Sequence, residues 1–172
     1  MILAPPQLLV DLADPWAKLY SHSNVLATIV GFLHVAPIVV GGGLAIAIDR
    51  WTLRLRHDEP AARARHLEEL GAAHRVVLGA LALSFVSGLA LLAADLETFF
   101  GSWIFWVKMG FIVLLLANGL FMARTEGTLR AAGAGDGARS DAAWRRLRTM
   151  AFTSLALWLT ITLAGVALMN LA

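Results

Sequence analysis

Four long apolar runs constrain this chain more than anything else in it. They lie near residues 25–48, 76–94, 103–123 and 151–171. Each can cross a bilayer core of about 30 Å, which takes about 20 helical residues. A backbone facing lipid must satisfy its own hydrogen bonds, so runs of this length read as helices. Of the 172 residues, 59% are hydrophobic, and the mean hydropathy is +0.72. Soluble domains average about 45–50% apolar, so a single soluble core would leave apolar surface uncovered. The expected fold class is all-α: an integral membrane four-helix bundle, one membrane domain over 1–172.

The segment before the first run, "MILAPPQLLVDLADPWAKLYSHSN", has no basic start and no apolar stretch of the kind a cleaved signal carries. Leu8, Leu9, Leu12, Trp16, Leu19 and Tyr20 fall on one helical stripe, which predicts an N-terminal interfacial helix lying on the membrane. Asp14-Pro15 is expected to cap and restart that helix.

Charge sets the orientation. Twelve of the fourteen lysines and arginines lie in 49–75 and 124–148, two loops on the same side of a four-span chain. The positive-inside rule places both in the cytoplasm of a bacterial inner membrane and both termini outside. The net charge of +2 therefore reflects topology and not nucleic-acid binding. There is no cysteine, which excludes disulfides, thiolate metal sites, iron–sulfur ligation and covalent c-type haem.

Asp58 and Pro60 mark a helix start, so 60–73 is expected to extend the second span into the cytoplasm. The second basic loop contains "GAGDG" and reads as a flexible link. A weak repeat at an offset of 76 residues sets "VVGGGLAIAIDRWTLR" against "LLANGLFMARTEGTLR". Small residues mark the packing faces: Ala27, Gly31, Gly41 and Ala45 beside His34, then Ala80, Ser84 and Gly88, then Thr153, Thr160 and Ala164.

Two ionisable residues lie inside the runs. His34 is about nine residues, or about 14 Å, from the outer end of the first, and Lys108 about five residues, or about 8 Å, into the third. Ionisable groups at such depth mark functional sites by default. In the functional reading His34 ligates the iron of a haem b or another porphyrin through a neutral imidazole. Lys108 answers a propionate or takes the opposite face of the iron, Gly31 and Gly41 let the flat ring approach the backbone, and Ser84 and Ser87 add hydroxyl contacts. The plainer readings are a core histidine bonded to a neighbouring carbonyl and a lysine that snorkels to the headgroups. A bis-histidine site is not expected, because His74 lies roughly 20 Å from His34 in height and His22 precedes the span. His66, Glu69 and His74 share a face of the predicted cytoplasmic helix, which reads as solvated and not as a metal site. Asn118 is expected to bridge helices, Trp158 to pack in the core, and Phe99, Phe100, Trp103 and Trp106 to form an outer aromatic belt.

"FLHVAPIVVGGGLA" with "GSWIFWVKMGFIVLLLANG" resembles the small four-helix membrane proteins of the HemJ-type protoporphyrinogen oxidase and CopD-like group. The shared features are a first-span histidine, "HV" leading to a Gly-rich stretch, and W-x-K opening the third span. In HemJ-type proteins a first-span histidine and a third-span lysine form the functional pair, and haem binding goes with the group. His34 and Lys108 are the matching positions. The aromatic and L-P-R pattern that follows the histidine in that group is absent here, where the chain reads "APIVVGGGLAIAIDR". The resemblance implies a haem- or porphyrin-binding membrane protein in electron transfer or porphyrin oxidation, acting on porphyrinogen or a quinone. The alternatives are a non-catalytic membrane subunit and a small copper or proton transporter using His34, Met109 and Lys108. The partners open to the chain are the lipid bilayer, a membrane redox partner and further copies of itself; nucleic acid is not among them.

Overall fold

A computed structural model describes residues 4–55, 59–132 and 137–171. They are almost entirely helical: α1 (Gln7–His22), α2 (Asn24–Pro37), a π-helical turn (Ile38–Gly42), α3 (Gly43–Arg54), α4 (Pro60–Ala94), α5 (Leu96–Gly101), α6 (Trp103–Ala132) and α7 (Gly137–Leu171). Asn24–Arg54, Ala61–Ala94, Trp103–Ala131 and Ser140–Asn170 are long and apolar enough to cross a membrane. Their outward faces carry Phe32, Phe85, Leu120, Leu159 and Leu163, each exposed by more than half. Large apolar side chains exposed in such number on four long helices suggest a multi-pass membrane protein.

A seven-residue seam holds the helices together. On α7, Trp144, Leu147, Ala151, Ser154, Trp158, Ile161 and Leu168 are buried, at steps of three and four residues that Gly165 continues. On α4 the same steps run through His66, Leu70, Ala73, Val77, Ala80, Ser84 and Ser87. This is the pattern of knobs packing into holes between left-handed supercoiled helices. The helix formed by α2, the π turn and α3 packs on α4 and, through α3, on α7; α6 packs mainly on α7. The four therefore close into a ring in which α2 and α6 stand diagonally.

The largest core cluster lies at the arginine-rich end, where Ile48, Leu55, Leu70, Met122, Leu129, Trp144 and Leu147 meet. It explains where the helices end. At about 1.5 Å per residue, the 35 residues of α4 and of α7 are far longer than a bilayer core. The seam continues past the apolar runs and carries the helices with it. Residues 60–73 are helical as expected, whereas the second basic loop is mostly helix as well, because Leu129, Trp144 and Leu147 have a core to enter. Residues 133–136 of "GAGDG", and Asp58 of the expected helix start, lie outside the described residues.

Two further departures have local causes. Pro15 lies inside a continuous α1 and does not restart it; on an exposed helix, water can satisfy the carbonyl that a proline leaves without a donor. Ser23 breaks the chain instead, its Oγ accepting from Leu26 N at 3.2 Å to cap α2. Pro37 makes the first span uneven. It ends α2, and the next five residues form the π turn. The proposed repeat matches the shape of two helical hairpins but not their details. Thr52 is fully buried while Thr128, its counterpart, is exposed and donates to Arg124 O of its own helix.

Candidate functional site

Pro37 sets up the site around His34. A proline has no N–H, so the carbonyl four residues earlier, that of Leu33, loses its helical donor. Ser87 Oγ on α4 lies 3.2 Å from that oxygen, and Ser84 Oγ lies 3.2 Å from the carbonyl of His34 itself. Ser87 has one proton to give and three carbonyls within reach, those of Leu33, Leu83 and Ser84. Both serines are buried. Ser84 Oγ answers the His34 carbonyl, and Ser87 Oγ stands within reach of the one that Pro37 leaves without its helical donor, which gives hydroxyls a role on an apolar span.

The His34 ring turns onto the same part of α4. Its Nδ1 is 2.9 Å from the Ser84 carbonyl and 3.3 Å from Ser87 Oγ. A carbonyl oxygen only accepts, so Nδ1 carries the proton, and in the neutral ring Nε2 holds the lone pair. All hydrogen bonds of the His34 ring among the described residues are made at Nδ1. Gly88 provides the room: a Cβ there would stand 3.0 Å from His34 Cε1.

Lys108 on α6 is half-buried and crosses to α7, where a Cβ on Gly165 would lie 3.6 Å from its Nζ. Among the described residues it has no hydrogen bond and no carboxylate partner. His34 and Lys108 thus lean on different neighbours, α4 and α7. Of the two glycines expected beside His34, Gly31 faces open space. Gly41 is closed by α4, with Ala80 Cβ 2.5 Å from where its own Cβ would be. Gly41 is therefore a helix contact. His22 is exposed and bonds Lys18 O at 2.7 Å, so it stays on α1.

At the other end the polar residues are more deeply buried than the sequence suggested. His66, read as solvated, has no exposed surface. Thr52 Oγ1 lies 3.0 Å from Ile48 O and 2.8 Å from His66 Nε2. With the threonine proton on the Ile48 carbonyl, Nε2 donates and Nδ1 is a bare acceptor, buried without a partner among the described residues. Asp49, one residue past the expected first span, is 3% exposed, and its Oδ2 has no partner among the described residues. Its polar neighbour is Ser154 of α7. Glu126, also buried, bonds His74 Nδ1 at 3.2 Å and pairs with Arg130, which donates to Leu67 O at 2.6 Å. Arg130 and Glu126 occupy the space a side chain at residue 71 would need, so Gly71 is required for this approach. His66 and His74 are thus committed to different partners, Glu69 is exposed, and no group of three metal-ligating side chains forms among the described residues.

The remaining assignments concern packing. Asn118 Nδ2 donates to Met150 O at 3.0 Å and so bridges α6 to α7. Trp158 is buried against Gly42. Trp106 Nε1 donates to Phe100 O at 3.1 Å, and Trp103 is 72% exposed. Pro37 was the missed signal for the site: it lies three residues after His34 and determines which carbonyls the serines meet. In comparisons with known proteins, no family model matches the chain, and no curated protein or solved structure gives a significant match.

Proposed function

We propose that the protein is a multi-pass protein of the bacterial inner membrane, both termini outside, that holds one haem b or related porphyrin at His34 and serves electron transfer or porphyrin oxidation. One observation carries this reading: His34 Nδ1–H is committed to the Ser84 carbonyl, which leaves Nε2 as a fixed, unengaged electron pair. Metal-ligating histidines are oriented in this way, by a second hydrogen bond to a carbonyl or carboxylate. The donor set fits the group. An imidazole can hold the iron, the unpaired Lys108 can answer a propionate, and Gly31, one turn before His34, leaves open space for a flat ring. The fit is to an open helix face, where nothing stands within 4 Å of a Cβ placed on Gly31. Bound haem would supply one-electron redox chemistry. The chain's own part is to hold the imidazole in one tautomer, keep α2 against α4, and offer a cation near the outer surface. The HemJ-type resemblance, with His34 and Lys108 at its paired positions, points the same way.

A second reading, a non-catalytic membrane subunit, is favoured by the same bond taken alone, since it clamps α2 to α4. Cofactor content separates the two. His34→Ala should abolish haem recovered with the purified protein, and Lys108→Met, which keeps volume and removes charge, should lower it or shift its spectrum. Haem content unchanged in both variants would leave only the clamp.

A further inference from the structure

Ala47, Arg50, Trp51 and Arg54 recur at i, i+3, i+4 and i+7, so they form one stripe along α3, and they line an open cavity of about 350 Å³. The opposite face of α3 carries the buried Ile48, Asp49 and Thr52. Asp49 is therefore turned toward Ser154 and away from this stripe. Among the described residues neither Arg50 nor Arg54 has a carboxylate partner. Arg54 is not needed as a helix cap either, because the Leu55 carbonyl is answered by Arg148. Trp51 is held in place from behind. Its ring meets His66 edge-on at 4.9 Å, and His66 is fixed by Thr52. The Trp51 indole N–H has no acceptor among the described residues. The stripe lies at the end of an apolar span, Asn24–Arg54, the level at which lipid headgroups meet a membrane helix.

We propose that this cavity is a binding site for an anionic phospholipid of the cytoplasmic leaflet, with Arg50 and Arg54 gripping its phosphate, Trp51 Nε1 donating to its oxygens, and its acyl chains lying along the apolar face below Ala47. Guanidinium groups pair with phosphate through two parallel N–H bonds. Tryptophan prefers the interface, and basic pockets at the cytoplasmic ends of spans recognise anionic headgroups. The site depends on α3 and its support from α4, and is independent of what His34 binds.

The test is native mass spectrometry of the full chain released from nanodiscs containing equal phosphatidylglycerol and phosphatidylcholine. The protein should retain phosphatidylglycerol preferentially. Arg50→Gln/Arg54→Gln should lower that preference by up to about 30-fold, the attraction of two arginines for an anionic surface. Arg145→Gln/Arg146→Gln removes the same charge elsewhere on the arginine-rich end and should leave the preference intact. Equal retention of both lipids would overturn the proposal, as would an equal loss in both double variants, which would make the effect one of net charge. Inorganic phosphate that displaces the lipid at comparable concentration would overturn it too, by assigning the arginines to a soluble anion. Matching thermal unfolding of the variants checks that the fold is kept.

Discussion

Ser87 is a sensitive reporter at the scale of single residues, because its hydroxyl lies within reach of a carbonyl that Pro37 leaves without a donor. Ser87→Ala should cost about 1–3 kcal/mol, the penalty for a buried group left unpaired. Pro37→Ala returns an N–H four residues after Leu33, so the same serine change should cost less in that background. A double-mutant cycle by reversible unfolding in mixed micelles would measure the difference, expected at about 1 kcal/mol; additive effects would break the link between the two residues. Gly88→Ala presses on the His34 ring from α4 and should alter whatever signal a bound cofactor gives while leaving Ser84 in place. The sequence made His34 and Lys108 visible because an ionisable group in an apolar run is conspicuous. It did not reveal that they turn onto different helices, since spacing along one chain says nothing about which neighbour a side chain meets. His66 was misread for the opposite reason: flanking arginines suggest solvent, and only the packing of α3 and α7 shows that its face is closed.

At the scale of elements, the contrast between Gly41 and Gly43 tests how closely α4 meets the first span. Gly41→Ala would drive a Cβ into Ala80 Cβ and the Val77 backbone, whereas Gly43 faces open space. The first change should destabilise by about 1–3 kcal/mol through overpacking. The second should be neutral or stabilising by about 0.5–1 kcal/mol, because alanine is the better helix residue. Similar effects in both would mean that the two helices do not touch there. The apolar runs located the four long helices but not their ends. Hydropathy falls where the arginines begin, while the seven-residue seam through Trp144, Leu147 and Ala151 on α7 and through His66 and Leu70 on α4 goes on regardless. Polar members of that seam, His66, Ser84 and Ser154 among them, hide it from any reading based on hydrophobicity alone.

For the whole molecule, orientation rests on the arginines, which gather at one end of the bundle with the largest core cluster between them. The absence of cysteine makes this easy to test. Cysteine placed at exposed Thr98, between the second and third spans, should react with an impermeant maleimide in intact spheroplasts. Cysteine at exposed Arg145 should react only after the membrane is opened; the reverse pattern would invert the molecule. The central claim is that the fixed Nε2 of His34 holds iron, and the absorption spectrum of the purified, haem-reconstituted protein tests it most directly. The account predicts a Soret band and reduced-state α and β bands of a histidine-ligated b-type haem in the native protein, and their loss in His34→Ala. A native protein that takes up no haem, or a His34→Ala variant with the native spectrum, would contradict it.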